Sequence, residues 1–140
     1  ALAAGHRPCF FCRREAAREF AAAFAGAHDN AAMSAPQIDA TLHEERLAAG
    51  KKRIHPLRAS PATLPDGTMV VLSGEAYLIA SGRALLWTIR GYQAPRRISR
   101  ADGLLTPPST LAALRAGYGC ELHPSVTSAP VRRPRSPTRK

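Results

Sequence analysis

Between residues 64 and 105 the apolar residues tend to alternate, and the alternation is cut twice by a serine–glycine pair. This combination restricts the region to short antiparallel strands. A period of two places every second side chain on one sheet face, and a tight Gly-containing loop joins antiparallel neighbours. Leu64-Pro65-Asp66-Gly67 opens the region as a turn. Residues 69–72, 77–80 and 85–89 read as three strands joined through Ser73-Gly74 and Ser81-Gly82. Residues 97–99 read as a fourth, and Asp102-Gly103 turns into a fifth at Leu104-Leu105. Four or five short strands are expected to form a small antiparallel meander that curls into a partly closed barrel and protects its edges. Leu85, Trp87 and Ile89 alternate with Leu86, Thr88 and Arg90, so Trp87 is expected in the core.

Helical signals lie on both sides. Residues 13–27 carry Ala16, Phe20 and Phe24 four apart, a narrow apolar face made mostly of alanine. Around residues 33–60 the punctuation is better. Ser34 is placed to cap a helix, Pro36 suits its first turn, and Gln37 completes a capping box. Ile38 and Leu42 share a face, Gly50 offers a stop, and Lys51, Lys52 and Arg53 suit the negative end of a helix dipole. After the strands, Thr106-Pro107-Pro108-Ser109 starts a short helix with Leu111 and Leu114 on one side and Gly117 as its stop. The fold class expected is therefore α+β, with one well-punctuated helix before the strands and one short helix after.

The domain reading follows from these shifts in pattern. Residues 1–32 form an Ala- and Arg-rich N-terminal extension, 33–60 a helix and basic linker, and 64–123 the compact β-rich unit. Residues 124–140 form a basic tail, expected to be disordered because four prolines and five cations leave little apolar surface to offset the entropy of ordering. Met33 stands at the junction of the first two segments and is read as a natural start, which would make residues 1–32 an upstream extension.

The chain carries 20 Lys and Arg against 10 Asp and Glu. Five of those cations and none of the acids fall in the last 17 residues, so the folded part is only mildly basic. A basic balance favours anionic partners such as nucleic acid. No apolar run approaches the ~20 residues of a membrane span, so no membrane partner is expected. Three cysteines, Cys9, Cys12 and Cys120, do not make a secreted disulfide framework, and a cytoplasmic setting is expected.

Three constellations bear on chemistry. His6, Cys9 and Cys12 form H-x2-C-x2-C, a spacing from which two thiolates and an imidazole can reach one zinc ion. His28, His43, Cys120 and His123 compete for the fourth ligand position. A redox C-x2-C is the weaker reading, because no strand or βαβ pattern precedes it. Next, Arg90, Tyr92, Arg96, Arg97 and Arg100 cluster close to Trp87, combining bidentate phosphate donors with aromatic rings on which bases can stack. The same arginines also suit a solvated sheet edge that resists aggregation. Finally, His43-Glu44-Glu45 resembles the start of a metalloprotease helix, but the second histidine position holds Leu47. No nucleophile elbow or phosphate loop is present, and Ser109 reads as a helix cap. Cys120 and His123 read as a small buried thiol and an end cap.

Leu64-Pro65-Asp66-Gly67, Trp87-Thr88 with Gly91-Tyr92, the run from Leu104 through Pro107-Pro108-Ser109-Thr110-Leu111 to Gly117-Tyr118, and the preceding Leu42-His43-Glu44-Glu45-Arg46-Leu47 carry one resemblance. Over residues 42–125 the chain resembles an uncharacterised small bacterial domain family, and that resemblance implies no activity, ligand or partner.

The reading these features favour is a small basic non-enzymatic binding module that contacts nucleic acid through the 90–100 edge and the basic tail. The alternatives are a protein-interaction module, using the 42–46 helix or an exposed strand edge, and a zinc-binding protein built on His6, Cys9 and Cys12.

Overall fold

The computed structural model describes residues 1–128, and they fold as α+β. Helix α1 spans Arg14–Gly26 and helix α2 Ala35–Arg46. A two-stranded hairpin follows, β1 (Leu47–Ala48) with β2 (Lys51–Lys52). The main sheet comprises β3 (Met69–Leu72), β4 (Glu75–Ala80), β5 (Arg83–Thr88), β6 (Gly91–Tyr92) and β7 (Gly103–Leu104), in the order β6-β5-β4-β3-β7. Helix α3 (Pro108–Arg115) and a final turn, α4 (Ser125–Ser128), complete the order.

Every pairing in the main sheet is antiparallel. The sheet is open, with β6 and β7 at its ends, so the expected barrel is not formed. Both ends are covered instead. His55 exchanges backbone hydrogen bonds with Leu104 on the outer side of β7. On β6, the Tyr92 amide donates to Ser125 Oγ at 3.0 Å. Closure is unnecessary once local chain hides the unpaired edge groups.

Three local corrections follow. The fourth strand is Gly91–Tyr92 rather than residues 97–99, because the chain turns back directly after Thr88 and pairs with β5. Helix α2 ends at Arg46, so Lys51 and Lys52 lie in a strand and not at a helix end. Two helices rather than one precede the main sheet. The capping box behaves as expected: the Ser34 amide donates to Gln37 Oε1 at 2.8 Å. Residues 125–128 form a helical turn within the stretch read as tail. The remainder of that expectation, residues 129–140, lies outside the described residues.

Two apolar clusters meet at α3. One lies on the sheet face formed by Val70, Tyr77, Ile79, Ala84 and Leu104, closed by Leu64 and Leu111. The other joins Phe20 and Phe24 of α1 to Ile38 and Leu42 of α2 and Ala113 of α3, with Tyr118 against it. Phe20 meets Tyr118 edge-on at 5.1 Å between ring centroids. The segment read as an extension thus supplies two fully buried phenylalanines to the helical layer.

Candidate functional site

The opposite sheet face sets the site. Register places Met69, Leu78, Leu85, Trp87 and Tyr92 on it together. Leu78 and Leu85 are buried, but the cover ends before Trp87, which is 52% exposed, and Ile89 beyond it is 95% exposed. The expectation that Trp87 lies in the core is overturned. Alternation put it on the right face, yet only packing from other segments decides how far along a strand that face is covered.

Trp87 pairs with Tyr92 across β5 and β6. The hairpin between them carries Arg90, exposed, with its amide on the Thr88 hydroxyl at 3.3 Å. Tyr92 turns partly inward. It lines a cleft of about 570 Å³ with Met69, Leu78, Tyr118, Cys120 and His123, and burial raises its phenol above the ordinary value of 10.0.

The predicted arginines separate. Arg96 pairs with Ala84 beside β5, on the face that carries Tyr77. Its guanidinium lies over the Tyr77 ring, 4.6 Å from the centroid, and also hydrogen-bonds the Tyr77 hydroxyl. That hydroxyl in turn donates to Glu75 Oε2 at 2.9 Å. Arg96 is thereby held against Tyr77 while it remains exposed. Arg90, Arg97 and Arg100 are exposed, and among the described residues their side chains make no hydrogen bond or ion pair.

The N-terminal cluster is arranged differently from the zinc expectation. Among the described residues no three His, Cys, Asp or Glu side chains come together as metal ligands, so His6 is not grouped with Cys9 and Cys12. Cys9 and Cys12 are exposed in the turn leading into α1, where the Arg13 amide donates to the Cys9 carbonyl at 2.9 Å. The backbone amides of Cys12 and then Phe11 lower the Cys9 thiol below its ordinary range, helped by the Cys12 thiol. That same contact with Cys9 raises Cys12.

A third group was invisible in the sequence. Ser109, the second residue of α3, gives its amide to Glu45 Oε2 at 2.9 Å and its hydroxyl to Glu45 Oε1 at 2.7 Å. His28 Nε2 approaches the same hydroxyl at 2.9 Å, and its Nδ1 donates to the Phe24 carbonyl at 2.8 Å. These are serine, histidine and glutamate without the geometry of a nucleophilic triad. The carboxylate holds the serine instead of the imidazole, and Ser109 is buried. Glu45 serves as the cap that α3, preceded by Pro107, cannot draw from its own N-cap side chain. No local signal could have found this pair, because 64 residues separate its members.

Among the described residues no helix is long and apolar enough to cross a membrane. The fold and site define an α+β chain with one aromatic–basic sheet end and one exposed dithiol. Compared with protein families, curated proteins and solved structures, the chain matches none of them.

Proposed function

We propose that this protein is a small module that binds single-stranded nucleic acid at the β5–β6 end of its sheet. The observation that carries the reading is the exposed Trp87 ring beside an unpaired Arg90. An aromatic face with adjacent cations is the combination that holds bases by stacking and the backbone by charge. Arg97 and Arg100 supply further unpaired cations. The described chain also ends at this edge, where Ser125 of α4 holds Tyr92, and five cations follow within twelve residues. Strand addition by a protein partner is the less favoured reading, since His55 and Ser125 already occupy the outer groups of β7 and β6.

Trp87 is the chain's one tryptophan, so its fluorescence reports on the site directly. Titration with mixed-sequence single- and double-stranded oligonucleotides at several salt concentrations tests the reading. Single strands are expected to quench Trp87, and Trp87→Ala is expected to weaken binding by about 1–3 kcal/mol. Arg97→Glu should weaken binding and flatten its dependence on salt without altering stability. Arg96→Glu should instead lower stability, because its partner Tyr77 is buried. Wild-type fluorescence that single strands do not move, with binding that survives Trp87→Ala, would refute the site and leave only a non-specific polycation.

A further inference from the structure

We infer that Cys9 and Cys12 form a thiol–disulfide exchange centre, with Cys9 attacking and Cys12 resolving, and that its substrate is a small anionic peptide disulfide. Three features of these few residues support this assignment.

The first is placement. Cys9 and Cys12 are the first and fourth residues of a turn, and both are exposed. Residues three apart within a turn lie less than about 7 Å apart at Cα, a span that a disulfide can bridge. The turn runs into α1, the 13-residue helix beginning at Arg14. Phe11 between the two cysteines is 99% exposed, so nothing in the described chain covers the pair.

The second is asymmetry. Cys9 lines both neighbouring clefts and Cys12 lines neither, and the local backbone at Cys12 and Phe11 lowers the Cys9 thiol below its ordinary range. An incoming disulfide held in either cleft meets Cys9 first, which leaves Cys12 as the thiol that follows.

The third is the surroundings. Cys9 borders two clefts of about 570 Å³ each, a size that suits a small ligand. One is apolar on its sheet side, with Met69, Leu78 and Tyr92. The other is lined by His6, Arg7, His43 and Arg46, with Asp39 as its one acid. Arg7 is paired to Asp39 through two contacts of 2.8 Å. Arg46 donates only to the imidazoles of His43 at 3.1 Å and His6 at 3.4 Å, so the cleft that Cys9 borders carries a guanidinium with no carboxylate partner among the described residues. A reactive thiol sits in this kind of electropositive, accessible setting, and the free charge selects a carboxylate-bearing disulfide.

The reaction balances without any other reagent. The Cys9 thiolate attacks one sulfur of R–S–S–R, forms the mixed disulfide Cys9–S–S–R and expels one RS⁻, which takes up a proton. Cys12 loses its proton to solvent and attacks the Cys9 sulfur. The Cys9–Cys12 disulfide forms and the second RS⁻ leaves. Two protein thiols are oxidised and one disulfide is reduced to two thiols.

The test uses the reduced full chain with glutathione disulfide as the anionic probe and 2-hydroxyethyl disulfide as the uncharged one, followed by acid quench, intact mass and peptide mapping. Wild type is expected to lose about 2 Da and retain no adduct. Cys12→Ser should accumulate the glutathione adduct on Cys9. Cys9→Ser should react about tenfold more slowly or worse. Arg46→Ala should slow the anionic probe by roughly threefold and leave the uncharged one unchanged. Circular dichroism of each variant verifies folding, which two exposed cysteines do not support. Equal reactivity of Cys9 and Cys12 in the two single variants, or a wild type that keeps both thiols, overturns the centre. An Arg46→Ala variant that treats both probes alike overturns the anionic substrate.

Discussion

The Glu45 carboxylate at the end of α2 accepts both the amide and the hydroxyl of Ser109 at the start of α3. One side chain thereby ties the last turn of one helix to the first turn of another. The same residue's carbonyl accepts His55 Nε2 at 2.8 Å, and His55 in turn covers the outer side of β7. Glu45 therefore links the helical layer to the sheet.

Replacing that carboxylate should be costly. Glu45→Ala removes two hydrogen bonds to a charged acceptor and leaves the Ser109 amide without its partner, while the hydroxyl keeps only His28 Nε2. A loss of about 2–3 kcal/mol is expected, read as a lower urea midpoint with an unchanged slope. Ser109→Ala keeps the amide contact and should cost less, about 1 kcal/mol. Equal losses in the two variants would show that the cap itself contributes nothing.

Thr110, next in α3, presents the opposite case. It is fully buried, and its hydroxyl has no hydrogen-bond partner among the described residues. Thr110→Val keeps the shape and removes the unmatched polar group. Stability is expected to rise by about 1 kcal/mol, and a destabilised variant in thermal unfolding would refute this.

The two tight turns of the sheet are strained alike. Ser73 and Ser81 adopt φ of 52° and 50°, each before a glycine that also has positive φ. Two-residue hairpins of this form prefer asparagine or glycine at the first position. Each turn is held by an aspartate: the Ser81 amide donates to Asp66 at 2.7 Å and the Ser73 amide to Asp102 at 2.6 Å. Ser81→Asn should add about 0.5 kcal/mol, while Asp66→Ala should remove about 1 kcal/mol. Chemical denaturation of the two variants checks both signs.

Alkaline pH should unfold the protein progressively. Burial raises the phenols of Tyr77, Tyr92 and Tyr118 above 10.0, and burial raises the Cys120 thiol above 9.0. Each group holds its proton more tightly when folded than when unfolded. Its contribution is complete below the unfolded value and is lost as pH rises through the folded one. Stability should fall from about pH 9 and more steeply past pH 10. Tyr118→Phe should flatten the upper part of that profile. A profile level from pH 9 to 11 in wild type would contradict the burial of these groups.

Much of this architecture was legible in the order of residues. Alternation around Ser73-Gly74 and Ser81-Gly82 identified three strands and their turns, because period and turn chemistry are local. Ser34 and Gln37 marked the start of α2 for the same reason. The C-x2-C spacing put two thiols on one turn. Tertiary structure decided the rest. An open sheet replaced the barrel because His55 and Ser125, remote in sequence from the edges they cover, supply the missing partners. Arg96 is held against Tyr77 at the surface, while Trp87 lies at the surface rather than in the core. Glu45 and Ser109 met across 64 residues. Each of these outcomes depends on which segments cover which face, and that is settled by packing between distant parts of the chain rather than by the pattern of any one of them.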